Sequence, residues 1–128
     1  MAQDASSPFI SDDTRQLAAY IVGAGFEQTP EDVLEKARHH LLDTLAAMVS
    51  GSRLRAGVLA SAYLASMGGR GSCNVAGTRL QTSAVDAALA NGMMAHGDET
   101  DDSHLGGRFH PGCGIVPCVL AAAQLKPA

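Results

Sequence analysis

Two stretches of this chain, residues 84–95 and 114–125, are apolar on every face that a helix would offer, and a fold that contains them has to bury both. The first carries Ala84, Val85, Ala87, Ala88, Leu89, Ala90, Met93 and Met94. With no Trp, two Tyr and three Phe in 128 residues, the interior must be filled by alanine, leucine, valine and methionine. Such small side chains suit closely packed helices. Little of so short a chain is left to cover two all-apolar helices. The expectation is an all-α helical bundle that belongs to a larger body or a tight oligomer such as a dimer. The chain by itself is then expected to be poorly soluble, oligomeric or partly molten.

Start and stop signals place the helices. Residues 1–10 read as a flexible lead-in. Ser11 is a cap for a helix from Asp12 or Asp13 to Val22, with Leu17, Ile21 and Ala24 on one face and Gly23 and Gly25 ending it. Thr29-Pro30-Glu31-Asp32 is a second start: threonine to accept orphan amides, proline for the first helical position, acids for the positive helix end. Val33, Ala37, Leu41, Leu45 and Met48 then recur at helical spacing up to Gly51. A third helix is expected from Ala56 to Met67, and one short extended segment near 72–77. Ser83-Ala84-Val85-Asp86 resembles a capping box with Asp in place of Glu. It opens a helix to Ala95, and the last helix begins near Gly112 to Gly114 and runs to Leu125.

Composition narrows the function. A net charge of −4 argues against nucleic acid, which needs a basic surface. No apolar run is long enough to span a bilayer. The N-terminus lacks a basic region followed by an apolar core, so no secretory signal is expected. Cys73, Cys113 and Cys118 make an odd count without zinc-like pairing, which fits a reducing cytoplasm.

The chemistry is concentrated between Asn91 and Pro117. His96, His104 and His110, three of the five histidines, fall there with Asp98, Glu99, Asp101 and Asp102. Like charges this close repel, and such clusters are where acid–base or metal chemistry is found. His96 is placed at a helix C-terminus. Glu99 and Asp102 share a face if a helical turn continues, and a glycine loop containing Arg108 delivers His110-Pro111 to the last helix. The free amides near Gly112, Cys113 and Gly114 make an anion site there. Asp98 and Asp101 read as solvated or loop-stabilising, His39-His40 as surface residues, and Cys113 and Cys118 as small packing residues. His96, Glu99, Asp102, His104 and His110 are also competent metal ligands, but no His-Glu-x-x-His and no cysteine pair accompany them.

Asn91-Gly92, Ala95-His96, Glu99, Asp101-Asp102-Ser103 and His110-Pro111 together resemble the signature of the MmgE/PrpD family, which includes 2-methylcitrate dehydratase, cis-aconitate decarboxylase and iminodisuccinate epimerase. Leu41-Leu42-Asp43-Thr44-Leu45-Ala46 is similar to that family's early helix. Glu99 stands where some members carry Asp, and the loop from Ser103 to His110 is longer than in the decarboxylase branch. The resemblance covers residues 12–128 and implies the N-terminal part of a large helical domain, here residues 11–128. The lid domain and later His and Lys site residues have no counterpart, so the expectation is a truncated product or one subunit of a split enzyme.

The implied chemistry is proton movement at a carbon beside a carboxylate, on small di- or tricarboxylates, with no metal or organic cofactor. Dehydration of a tricarboxylate such as 2-methylcitrate is the leading expectation. Decarboxylation, epimerisation and a non-catalytic helical subunit are the alternatives. His110, Glu99 and Asp102 are the implied catalytic set. Ser103, His96, His104, Arg108 and the amides of Gly112 and Cys113 are the implied substrate contacts. The expected partners are a carboxylate substrate and a second copy or polypeptide, with no nucleic acid, no membrane and a cytoplasmic location.

Overall fold

A computed structural model describes residues 10–97 and 99–126. The expected lead-in lies outside them except for Ile10, as does Asp98. Among the described residues the fold is all-α. Five helices, α1 (Asp12–Gly23), α2 (Glu31–Gly51), α3 (Arg55–Met67), α4 (Ala84–Ala95) and α5 (Pro111–Gln124), accompany a 3-10 turn at Phe26–Gln28 and a two-stranded hairpin. No helix among the described residues is long and apolar enough to cross a membrane. The chain divides into two units, Met1–Glu35 and Lys36–Ala128.

The first unit holds α1, the 3-10 turn and the start of α2. Ser11 caps α1 as its sequence predicts, its Oγ accepting the Thr14 amide at 3.2 Å. Thr29 departs from expectation. Its hydroxyl donates to the Gly25 carbonyl at 3.2 Å and closes the 3-10 turn. The carbonyl of Pro30 accepts the Val33 and Leu34 amides at 3.1 and 3.0 Å, so proline takes the place at the head of α2 that threonine was expected to fill.

The second unit is built around α4. Met48 of α2, Ala60 and Leu64 of α3, Val75, and Ala90, Met94 and Ala95 of α4 form one buried cluster, and Cys73, Ala87 and Ala121 a second. Burying a side chain of methionine size contributes about 1.5–3 kcal/mol. Small residues let the backbones close up. A Cβ at Gly51 would fall on the Met94 carbonyl, and one at Gly92 would lie 2.9 Å from the Cys113 carbonyl. Pro117 lies within α5 and has no amide, so that Cys113 carbonyl loses its usual partner one turn on and instead faces α4.

The extended segment is half of an antiparallel hairpin, β1 (Cys73–Asn74) against β2 (Gln81–Thr82), with Cys73 opposite Thr82. Asn91 of α4 ties this hairpin down. Its Oδ1 accepts the Ala76 amide at 2.8 Å and its Nδ2 donates to the Asn74 carbonyl at 3.0 Å. Ser83 caps α4 by accepting the Asp86 amide at 3.2 Å. The reciprocal half differs from a capping box, because the Asp86 carboxylate is shorter than a Glu and accepts from the Ser83 hydroxyl at 2.8 Å.

The expectation that α4 is buried all round holds for one face. Ala87, Ala90, Asn91, Met94 and Ala95 are buried, whereas Val85, Leu89 and Met93 are exposed. Together with Gly114 and Cys118 of α5 and Leu125 at its C-cap, they line an open apolar groove of about 740 Å³.

Gly51→Ala is expected to lower stability by about 1–3 kcal/mol, because the added methyl meets backbone rather than a side chain that can swing away. Gly114, at which an added Cβ meets open space, is the control: its Ala variant is expected to match or exceed the parent. Urea midpoints of the three proteins decide it.

Candidate active site

The site begins where α4 stops. His96 is its C-cap, with its amide bonded back to the Gly92 carbonyl at 3.1 Å. The helix does not continue, so Glu99 and Asp102 do not share a helical face. Glu99 is exposed in the left-handed region at φ 57°. The chain then runs without regular structure through Asp101 and Asp102, closes a small loop, and enters α5 at Pro111.

Asp101 is the centre of the arrangement. Its side chain is 0% exposed. His96 Nδ1 lies 3.2 and 3.3 Å from its two oxygens, and His110 Nδ1 lies 3.4 Å from Oδ1. The two imidazole rings are 5.0 Å apart, tilted by 56°. An ionised carboxylate only accepts, so His96 Nδ1 carries the hydrogen. His110 Nδ1 is also 2.9 Å from the Asp102 carbonyl, which likewise only accepts, so the same tautomer follows there. Both rings therefore keep Nε2 as the nitrogen free for chemistry. Their side chains are 46% and 31% exposed, enough for a small molecule to reach.

Asp102 does different work. In an irregular segment consecutive side chains diverge, and this carboxylate turns to the head of α5. Its Oδ1 accepts the Gly112 amide at 2.8 Å, and Oδ2 lies 3.6 Å from Nδ1 of His40 on α2. The anion site predicted at the start of α5 is thus filled at Gly112 by the chain's own carboxylate. A Cβ at Gly112 would strike Asp102 Oδ1 and Thr44 Oγ1, so glycine permits the approach. His40, read from the sequence as a surface residue, joins the site through Asp102.

The remaining expected residues scatter. Ser103 Oγ is 3.5 Å from His110 Nδ1, at the edge of hydrogen bonding. His104 closes the loop: its Nδ1 accepts the Gly107 amide at 2.8 Å, its amide donates to Phe109 at 2.9 Å, and its ring packs on Phe109. Arg108 is exposed on that loop, at φ 53°. A cavity of about 370 Å³ opens between His40, Asp102, Ser103 and His104. Cys113 donates from Sγ to the His110 carbonyl at 3.2 Å. Burial, and then the Asp101 and Asp102 carboxylates, push its thiol pKa up.

The family model that describes the MmgE/PrpD N-terminal domain matches residues 15–128. The chain belongs to the MmgE/PrpD family. It is 28% identical over 113 residues to the cis-aconitate decarboxylase-like protein oryM of Aspergillus oryzae, across 88% of this chain and 23% of that protein. It is 28% identical over 123 residues to a cis-aconitate decarboxylase of Aspergillus terreus, across 96% of this chain and 25% of that protein. The chain therefore spans about a quarter of the length of these curated relatives. No solved structure matches it.

The geometry divides the MmgE/PrpD signature by job. Asn91 and Gly92 hold α4 to the hairpin and to α5, while His96, Asp101 and His110 converge. The sequence reads Asp101 as solvated or loop-stabilising, whereas the structure buries it between the two imidazoles. The signal available was its position five residues after His96 in a segment too short for both acids to face the same way.

Asp101→Asn removes the carboxylate that helps hold the Cys113 proton. Alkylation of Cys113 by iodoacetamide at mildly alkaline pH is expected to speed up in this variant, with exposed Cys118 as reference in site-resolved mass spectrometry. Because burial is the larger cause, the gain is partial. The fold favours the neutral thiol, so Cys113 costs stability as pH rises past its ordinary value.

Proposed function

We propose that this chain supplies the acid–base centre of a lyase acting on small di- or tricarboxylates. One observation carries the reading: a buried carboxylate holding two half-open imidazoles, His96 and His110, with Nε2 of each free. Such a pair suits substrates that carry more than one carboxylate. One imidazolium can bind a carboxylate while the other moves a proton at the adjacent carbon. Asp101 fixes both tautomers and stabilises the positive ring that forms when either Nε2 takes a proton. Asp102 holds the head of α5, and with it His110, in place. The cavity beside Ser103 and His40 offers hydrogen-bonding groups for the far end of the substrate.

Two outcomes at the reacting carbon are compatible with this centre. In dehydration a base removes the proton next to a carboxylate, the double bond forms, and the hydroxyl leaves as water once protonated. In decarboxylation the carbon–carbon bond breaks, carbon dioxide leaves with no charge, and the electron pair on carbon takes a proton from an imidazolium. The resemblance to the family makes dehydration of a tricarboxylate such as 2-methylcitrate the first of these readings. The names of the Aspergillus relatives favour decarboxylation of cis-aconitate, which makes it the first reaction to assay. The exposed α4 and α5 face leads us to propose that the working enzyme buries it under further polypeptide or a second copy.

The test is turnover by the complete active enzyme on cis-aconitate and on 2-methylcitrate, followed by carbon dioxide release and by the change in unsaturation. His110→Ala and Asp101→Asn are each expected to lower kcat by about 10²–10⁴-fold. Normal turnover by the His110 variant would sink the proposal.

A further inference from the structure

The acid–base reading leaves the Cys113 thiol unused, although it stands at the same centre. A Cys113 Sγ, a ring nitrogen of His96 and a carboxylate oxygen of Asp101 all lie within 4.8 Å of one another. They come from three places, the first turn of α5, the cap of α4 and the segment between. The 3.2 Å separation of His96 Nδ1 from Asp101 Oδ1 is close to the ~3.3 Å edge of a tetrahedron drawn around zinc with bonds of 2.0–2.1 Å. Thiolate, imidazole and carboxylate together form a borderline-soft set that suits zinc better than magnesium or calcium. Asp101 is buried, which removes the competition of water for its oxygens. His96 is half exposed, so an ion enters from solvent and keeps water as its fourth ligand.

Three of the residues that the sequence marks as competent metal ligands do not join this set. Asp102 is engaged at Gly112 and His104 at Gly107, and Glu99 is exposed. The set that does converge brings in Asp101 and Cys113.

We propose that His96, Asp101 and Cys113 form a binding site for a thiophilic divalent cation such as zinc, and that its occupancy blocks proton transfer by His96. Binding forms bonds from the metal to Cys113 Sγ, His96 Nδ1 and an Asp101 oxygen, and breaks the S–H and Nδ1–H bonds. The thiol proton goes to solvent, the contact from Sγ to the His110 carbonyl is lost, and the ring gives its Nδ1 proton to solvent and takes one back on Nε2, so the imidazole stays neutral with its hydrogen turned away from the metal. No electron is transferred. The binding claim stands on geometry alone, and only the blocking claim rests on the proposed lyase function.

Cobalt(II) titration of the purified protein tests binding without any assay of turnover. A stoichiometric near-ultraviolet thiolate-to-cobalt band, with visible bands of tetrahedral cobalt, is expected, and zinc should displace both. Cys113→Ser should abolish the near-ultraviolet band, Asp101→Asn should weaken binding at least tenfold, and Cys118→Ser should change neither. Circular dichroism of each variant checks that the helices persist. Absence of the band, or its survival in the Cys113 variant, overturns the proposal. Zinc should inhibit turnover of the parent and spare the Cys113→Ser enzyme. Cobalt binding without zinc inhibition would keep the site and remove its blocking role. Turnover that needs His110 in a protein that binds no cobalt would leave the lyase reading intact and sink the metal site.

Discussion

A carboxylate taken out of water costs several kcal/mol unless charged or hydrogen-bonding partners replace the solvent. Asp101 is that carboxylate here, and its partners are imidazoles drawn from the end of α4 and the start of α5. Satisfying it fixes where α4 stops, how the intervening loop returns and how α5 enters. The interaction that positions the chemistry is therefore also a constraint on the path of the chain. Breaking it leaves a buried charge, which is why the chemistry and the local fold are hard to separate by mutation.

The neighbouring acid solves a second problem with the same economy of residues. The first amides of α5 have no partner within the helix. Asp102 reaches back to fill one of them at Gly112, and its other oxygen approaches His40. One carboxylate thus links α2, the loop and α5. Close approach of backbones makes this possible. Glycine at 51, 92 and 112 removes the methyl groups that would hold these elements apart. The two rings carried by the ends of this helix pair lie 5.0 Å apart.

Open apolar surface is the counterpart of that compact inner face. Val85, Leu89 and Met93 look outward from a helix whose other side is core. Its contiguous apolar side chains are what led us to propose a covering partner for this face.

Local signals in the sequence determined most of the elements. Ser11 and Ser83 placed the starts of α1 and α4 through their hydroxyls, and Gly68, at φ 61°, ended α3 because only glycine takes that conformation without strain. The cluster of His96, acids and His110 was legible as a site for the same reason: those residue types are unusual so close together. Tertiary structure alone decided which acid is buried between the two imidazoles, that His40 comes from α2 to Asp102, that Thr29 bonds backward, and that the hairpin finds its second strand at Gln81–Thr82. Each of these depends on contacts between residues distant in sequence or on which way a side chain turns in a segment without periodic structure. Sequence periodicity reports a face only where the backbone repeats, and between Glu99 and Phe109 it does not.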